Sequence, residues 1–182
     1  TYYWTMDQKD LDRLPTSGWI GYLKGEDSYY PVRALKAELE HVRSQIERVH
    51  CDTASTDTRM SDDPNGLNPA LVGSLIELML GGLPTGHDGH PLHCRLRYFD
   101  AERQRAGIPE DVAALVDAIS HDSISVTLVN INQIKKRTVI VQAGAHAEHQ
   151  FLTVSLGNEE LIVNNIRFVL NLDPGCVTRI DI

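Results

Sequence analysis

Residues 123–182 constrain the fold most, because short apolar stretches alternate there with turn signals. Gly157-Asn158 lies between two apolar stretches, which is typical of a β-hairpin, and Asp173-Pro174-Gly175 precedes the last stretch. Short strands at such regular spacing indicate an antiparallel sandwich or barrel. The predicted strands are Ile124–Ile131, Thr138–Gln142, Glu148–Leu156, Glu160–Val163, Arg167–Leu172 and Val177–Ile182.

Upstream of this region the pattern is mixed, so we predict an α+β fold with a helical and loop-rich N-terminal part followed by an antiparallel β-sandwich. The expected divisions fall at residues 1–66, 67–122 and 123–182. Within the middle division, Leu92–Tyr98 alternates between apolar and polar residues and predicts an added, half-buried strand.

An amphipathic helix is predicted over Val32–Val49, because its apolar residues are spaced three and four apart in turn. These apolar residues are Val32, Leu35, Leu39, Val42, Ile46 and Val49. We favour a helix that lies on the core of its own chain. A coiled coil between two copies, which would make this helix an oligomerisation element, is the alternative.

Three other segments are less regular. Ser17–Gly25 carries three glycines among bulky residues and is interpreted as a strand or a structured loop. Ala70–Leu80 is apolar nearly all round after Asn68-Pro69, which predicts a helix buried on several sides and stopped by Gly81. Pro109 is expected to open a short helix whose apolar face is Val112, Leu115, Val116 and Ile119.

Composition excludes several classes of function. The 182 residues carry a formal charge of −8, which argues against binding to nucleic acid or to an anionic membrane surface. No apolar run reaches the roughly 18 residues that a membrane-spanning helix needs. The chain begins at Thr1 without an initiator Met, and we interpret it as a fragment or a processed product.

Three widely separated cysteines argue against a disulfide framework and favour reduced, buried thiols in a cytoplasmic setting. They are Cys51, Cys94 and Cys176.

Histidines form the main candidate for chemistry. Imidazole is the commonest metal ligand, and a multi-histidine site is conceivable from two short segments. The candidate ligands are His87, His90, His93, His146 and His149. Exposed polar loops are the competing interpretation, which we favour, and no cofactor is predicted. The patterns of zincins, zinc deaminases, phosphate loops and serine hydrolases are absent from the sequence.

Two further groups of side chains stand out. Arg95, Arg97, Arg103 and Arg105 form one basic patch, for which an anionic partner is conceivable and a salt-bridged surface is favoured. Aromatic residues crowd the first thirty positions and could form an interaction surface or pack locally. They are Tyr2, Tyr3, Trp4, Trp19, Tyr22, Tyr29 and Tyr30.

The C-terminal third has a recognisable combination of Val129-Asn130, Arg137-Thr138-Val139 and Pro174-Gly175 before the last strand. In this combination, residues 123–182 resemble the C-terminal β-sandwich regions that follow the catalytic domain in many large bacterial carbohydrate-active and related enzymes. The resemblance implies an accessory domain without catalytic residues.

We therefore expect a non-catalytic portion of a larger bacterial enzyme, packed against a neighbouring catalytic domain. A metal-dependent enzyme or metal-binding subunit that uses the histidines is the first alternative. A homo-oligomer formed through the Val32–Val49 helix is the second.

Overall fold

The structure is a computed structural model that describes residues 18–61, 68–82 and 91–182. The helices in these residues are α1 (Gly18–Leu23), α2 (Tyr30–Cys51), α3 (Thr56–Ser61) and α4 (Gly73–Leu80). The strands are β1 (Leu96–Asp100), β2 (Arg105–Ala106), β3 (Val112–Ile119), β4 (Ile124–Asn130), β5 (Arg137–Ala143), β6 (Phe151–Leu156), β7 (Glu159–Asn165), β8 (Arg167–Leu172) and β9 (Val177–Asp181).

The strands form two antiparallel sheets that pack as a sandwich, which confirms the predicted α+β class. One sheet has the order β2-β1-β5-β8 and the other β3-β4-β9-β6-β7. Strands β1 to β3 belong to these sheets, so the sandwich already begins at Leu96. None of the helices in the described ranges is long and apolar enough to cross a membrane.

The core lies where the apolar faces of the two sheets meet. Val116, Val126, Val139 and Val141 are each completely shielded from solvent, as is Leu128. Burying one such side chain contributes roughly 1.5–3 kcal/mol. Helices α1 and α4 both pack against β3 and add Trp19, Ile20 and Leu78 to the same cluster.

The strands predicted from Ile124 to the end of the chain are confirmed, with boundaries that shift by a few residues. The β6–β7 hairpin turns at Gly157-Asn158, as its sequence indicates. Gly157 has φ +61°, a left-handed conformation that costs a glycine little. The shift is largest at β6, which begins at Phe151 rather than Glu148 because residues 144–150 form a loop.

The short helix predicted after Pro109 is wrong, since the segment forms strand β3. Val112, Ala114 and Val116 are buried on its inner face, while Leu115 is half-buried on the other face and lines a groove that Leu75 of α4 also lines. Both faces of β3 therefore carry apolar residues, and their combined spacing imitates a helical period.

The N-terminal helices also differ from their predictions. Gly18–Leu23 is a helix rather than a strand or loop, and its Trp19 reaches the core. Helix α4 ends at left-handed Gly81 as predicted, but begins only at Gly73. The prediction that it is buried on several sides is wrong, because Leu78 is the one residue of α4 that is buried and Leu75 is exposed. Asn68 accepts the backbone N–H of Ala70 in a preceding turn instead of capping the helix.

Buried polar groups hold one end of the sandwich together. Asn130 is fully buried, and its side-chain N–H groups donate to the carbonyls of Lys135 (2.8 Å) and Asp173 (3.1 Å). It thereby joins the end of β4 to the turn before β9. The Arg137 guanidinium donates to both oxygens of Asp111 at 2.7 and 2.6 Å, which links β5 to the start of β3 across the two sheets.

Candidate functional site

Helix α2 carries the most prominent uncovered apolar surface in the described residues. The predicted apolar residues Val32, Leu35, Leu39, Val42, Ile46 and Val49, here called the α2 seam, lie in one helix as expected. All except the half-buried Val42 are between 40 and 48% exposed. Within the described residues, the seam does not lie on the core of its own chain as the favoured interpretation expects. Of the residues in α2, only Pro31 and Gln45 are buried.

Two polar contacts fix α2 on α4 without covering the seam. The Tyr30 hydroxyl donates to Glu77 at 2.6 Å, and the backbone N–H of Ser74 donates to Glu38 at 2.6 Å. Burial raises the pKa of Glu77, partly offset by the Tyr30 hydrogen bond, and burial together with that bond raises the pKa of Tyr30. The helix is therefore anchored near its N-terminal half.

An apolar groove adjoins the first turns of the seam, between α2, α4 and β3. It has a volume of about 370 Å³. Val32 and Leu35 form one wall, Leu75 and Met79 of α4 another. Leu71, Val72 and Leu75 are themselves exposed, so the apolar surface extends from the seam onto the α4 region. Contiguous apolar patches of this kind typically mark sites of protein association.

The charges beside the seam are arranged asymmetrically. When Val32 is assigned to heptad position a, Lys36, Arg43 and His50 occupy the e positions, whereas Glu38 and Gln45 occupy g positions. One edge of the seam is therefore basic, and the other carries the acidic Glu38. Ser44 lies at an exposed f position on the far side of the helix.

The candidate metal ligands are only partly covered by the described residues. His93 is half-buried just before β1, and His146 and His149 are exposed on the loop after β5. Within the described ranges, no three His, Cys, Asp or Glu side chains are grouped so that they could hold a metal ion. His87 and His90 lie outside these ranges, so the complete histidine set stays a prediction.

Glu148, between these two histidines, has a structural contact instead. Its carboxylate accepts the backbone N–H groups of Ala145 (3.1 Å) and His146 (2.7 Å) and closes the loop that Gly144 opens. Burial alone would raise the pKa of Glu148, but these N–H donors lower it below its ordinary value. The carboxylate is thereby held in its charged form as a loop cap.

The described members of the aromatic set have different environments. Trp19 is buried and stacks on half-buried Tyr22 at a ring distance of 5.8 Å, so both pack within this chain. Tyr30 is tied to Glu77, and Tyr29 alone among these four is exposed. Tyr2, Tyr3 and Trp4 lie outside the described residues.

All three cysteines are free thiols, and the sequence predicts no disulfide framework. Burial raises the pKa of Cys94 to about 12, which makes this thiol a poor nucleophile. Cys51 and Cys176 are exposed, contrary to the expectation of buried thiols.

Comparison of the chain with protein-family models, with curated proteins and with solved structures finds no match in any of the three.

Proposed function

We propose that this chain is a non-catalytic association module that pairs with a second copy of itself through the α2 seam. The observation that carries the proposal is the exposure of five of the six seam residues on a helix that is fixed to the body of the protein. Such a surface loses its contact with water when a further polypeptide segment packs on it, and here we take that segment to be α2 of a second copy.

The seam is suited to a second copy because its spacing is self-complementary. Two helices with apolar residues at a and d positions bury them in one another by packing knobs into holes. The seam spans only two and a half heptads, which is short for an isolated coiled coil. Here α2 is already folded and anchored by Tyr30 and Glu38, so the cost of forming the helix does not weaken the pairing.

The charges beside the seam favour a parallel pair. In this arrangement Glu38 of one copy lies opposite Arg43 of the other, and the two form an attractive g–e′ pair. One Glu38 oxygen accepts the Ser74 N–H, and the second has no hydrogen-bond partner within the described residues. An antiparallel pair would instead align the basic e edges of both helices, which repel one another.

This proposal differs from the accessory-portion hypothesis in the partner that covers the exposed surface. A neighbouring catalytic domain of a larger enzyme would occupy the same face in that case, and would leave the isolated chain monomeric. The resemblance of residues 123–182 to accessory sandwiches is compatible with either partner, since it concerns the region that builds the fold and not α2.

Light scattering across a range of protein concentrations tests the proposal. The wild-type mass is expected to rise from 20.3 kDa towards twice that value as the concentration increases. Leu39→Glu places a charge in the seam and should keep the chain monomeric at every concentration. Ser44→Glu adds the same side chain on the opposite side of α2, and should associate as the wild type does.

A third variant distinguishes the seam from another apolar surface. Leu161 and Ile162 are exposed on the edge strand β7, which could also pair with a second copy. Ile162→Glu should leave association unchanged. The proposal is overturned if the wild type stays at 20.3 kDa throughout, or if Ile162→Glu prevents association while Leu39→Glu does not.

A further inference from the structure

The outer face of the four-stranded sheet gathers side chains that are far apart in the sequence. Its strand register places Arg97, Gln142 and Arg167 side by side on β1, β5 and β8. Two residues along each strand, the same register aligns Phe99, Ile140 and Val169. A basic row therefore runs beside an apolar row, on the face that points away from the sandwich core.

Two arginines converge on one aromatic ring in this face. The guanidinium carbons of Arg97 and Arg167 lie 5.3 and 5.5 Å from the centre of the Phe99 ring. Arg97 donates to the Ala145 carbonyl at 2.9 Å, and Arg167 Nε donates to the Gln142 side-chain oxygen at 2.8 Å. Cation–π contacts and these hydrogen bonds hold both cations in place.

The Gln142 side chain, which accepts the hydrogen bond from Arg167, is itself held in place by hydrogen bonds. The Gln142 side chain is 2% exposed, and its N–H groups donate to the carbonyls of Gly144 (3.1 Å) and Ala145 (3.2 Å). The loop after β5 thereby positions both guanidinium groups, one through Ala145 directly and the other through Gln142.

Neither of these arginines forms an ion pair within the described residues, unlike their neighbours in the basic patch. Arg103 donates to both oxygens of Glu110 at 3.1 and 3.0 Å, and Arg105 lies 3.8 Å from Asp100. Two cations are thus held near one ring with neutral acceptors only. An anion beside this ring would receive charge-assisted hydrogen bonds from guanidinium groups that form no ion pair within the described residues.

A cavity of about 430 Å³ opens beside Phe99, at the hairpin that joins β1 to β2. Arg105 and Arg167 contribute cationic groups to its lining, and Asp100 contributes a buried carboxylate that lies 3.8 Å from Arg105. Phe99, Ala106 and Ile140 contribute apolar surface. A volume of this size suits a small molecule rather than a macromolecule. The lining predicts a ligand with an anionic group attached to a small apolar body.

We propose that this sheet face, here called the Phe99 site, binds small carboxylates or phosphate monoesters that carry an apolar or aromatic body. The guanidinium groups of Arg97 and Arg167 bind the oxyanion, and the cavity beside Phe99 receives the body. The planar guanidinium fork matches the geometry of both oxyanions. This proposal does not depend on association through α2, because the Phe99 site consists of strand residues.

Calorimetric titration with four probes tests the Phe99 site. Benzoate and phenyl phosphate carry an anion on an aromatic body and should bind. Benzyl alcohol lacks the charge, and inorganic phosphate lacks the apolar body. Each should therefore bind at least about tenfold more weakly than the stronger of the first two probes. This factor is the effect of losing one charge-assisted hydrogen bond or an equivalent apolar contact. The stronger of the first two probes identifies whether the oxyanion is a carboxylate or a phosphate.

Matched variants locate the binding. Arg167→Gln and Arg97→Gln should each weaken binding of the stronger probe about tenfold, since each removes one cation from the oxyanion. Arg103→Gln removes the same charge from a residue already paired with Glu110, and should leave binding unchanged. Circular dichroism verifies that each variant is folded.

The Phe99 site is overturned if neither benzoate nor phenyl phosphate binds the folded wild type. Equal affinity for benzyl alcohol and benzoate would also overturn it, as would equal affinity for phenyl phosphate and inorganic phosphate. If Arg103→Gln weakens binding as much as Arg167→Gln does, the ligand is held by general charge attraction. This result would contradict the proposed location.

Discussion

The β-sandwich and helix α2 both carry regularly spaced apolar residues, but the two regions cover them very differently. In the sandwich, residues such as Leu128 and Val141 are completely buried between the sheets. On α2, residues such as Leu39 and Ile46 remain 40% exposed or more. The same kind of pattern therefore builds the fold in one region and leaves a surface for a partner in the other.

The two regions also use their polar groups differently. Asn130 and the Asp111–Arg137 pair are satisfied within the sandwich and fix its strands to one another. Beside the α2 seam, Lys36 and Arg43 form no ion pair within the described residues. We infer that substitutions in the sandwich change the stability of the single chain, whereas substitutions in the seam change association.

The largest expected effect is the loss of a core side chain. Leu128→Ala should lower the free energy of unfolding by about 2–5 kcal/mol, because it leaves a cavity between the sheets. Leu39→Ala removes the same atoms from the exposed seam and should change it by less than about 0.5 kcal/mol in dilute solution. Urea unfolding at a low protein concentration measures both. Equal losses in the two variants would contradict the distinction between the regions.

A smaller loss is expected when the buried amide is removed. Asn130→Ala removes the amide donor from the carbonyls of Lys135 and Asp173, of which the second keeps the Cys176 N–H, and should cost about 1–3 kcal/mol. Asn171→Ala, the control, removes an exposed hydrogen bond between Asn171 and Thr138 on β8 and β5, and should cost less than about 1 kcal/mol. Chemical unfolding of both variants makes the comparison, and a larger loss in the control would count against the buried anchor.

The Asp111–Arg137 pair should give the sandwich a component of stability that depends on pH. The hydrogen bonds from Arg137 lower the pKa of Asp111 from 3.8 to about 2, against the opposing effect of burial. The pair therefore stabilises the fold fully above about pH 4, and its contribution is lost as the pH falls through about 2. The difference in urea midpoint between wild type and Asp111→Asn should shrink over this interval; a constant difference would contradict the assignment.

The smallest expected effect concerns the rim of the seam. Arg43→Glu places like charges opposite Glu38 in a parallel pair and should weaken association roughly tenfold, with little change in the stability of the single chain. Lys36→Glu makes the same charge change opposite Pro31, where the second copy offers no charge, and should stay within about twofold of the wild type. Sedimentation equilibrium separates the two variants. Equal weakening would contradict the parallel arrangement.

The strands after residue 123 could be predicted because each buries one face, which leaves a clear alternation in the sequence. Strand β3 could not, because apolar residues such as Val116 and Leu115 occupy both of its faces and hide the alternation. The helix at Gly18–Leu23 could not be predicted either, because its glycines disfavour a helix and its stability comes from packing Trp19 into the core.

For the candidate surfaces, the sequence indicates the side chains but not their surroundings. The spacing of Leu39 and Ile46 predicts a helical seam, yet the same spacing fits a covered and an uncovered helix equally well. The sequence indicates that Arg97 belongs to a basic patch. Its approach to Arg167 depends on the strand order β1-β5-β8 and on pairings between residues that are distant in the sequence. Short-range patterns carry no information about such pairings.

Amide hydrogen exchange, compared between dilute and concentrated solutions of the wild-type chain, tests pairing through α2 most directly. Homotypic pairing predicts that protection increases with concentration along Leu39–Val49 and that exchange in β4 and β5 stays unchanged. Exchange in α2 that does not depend on concentration, or added protection concentrated on the β7 edge instead, would contradict it.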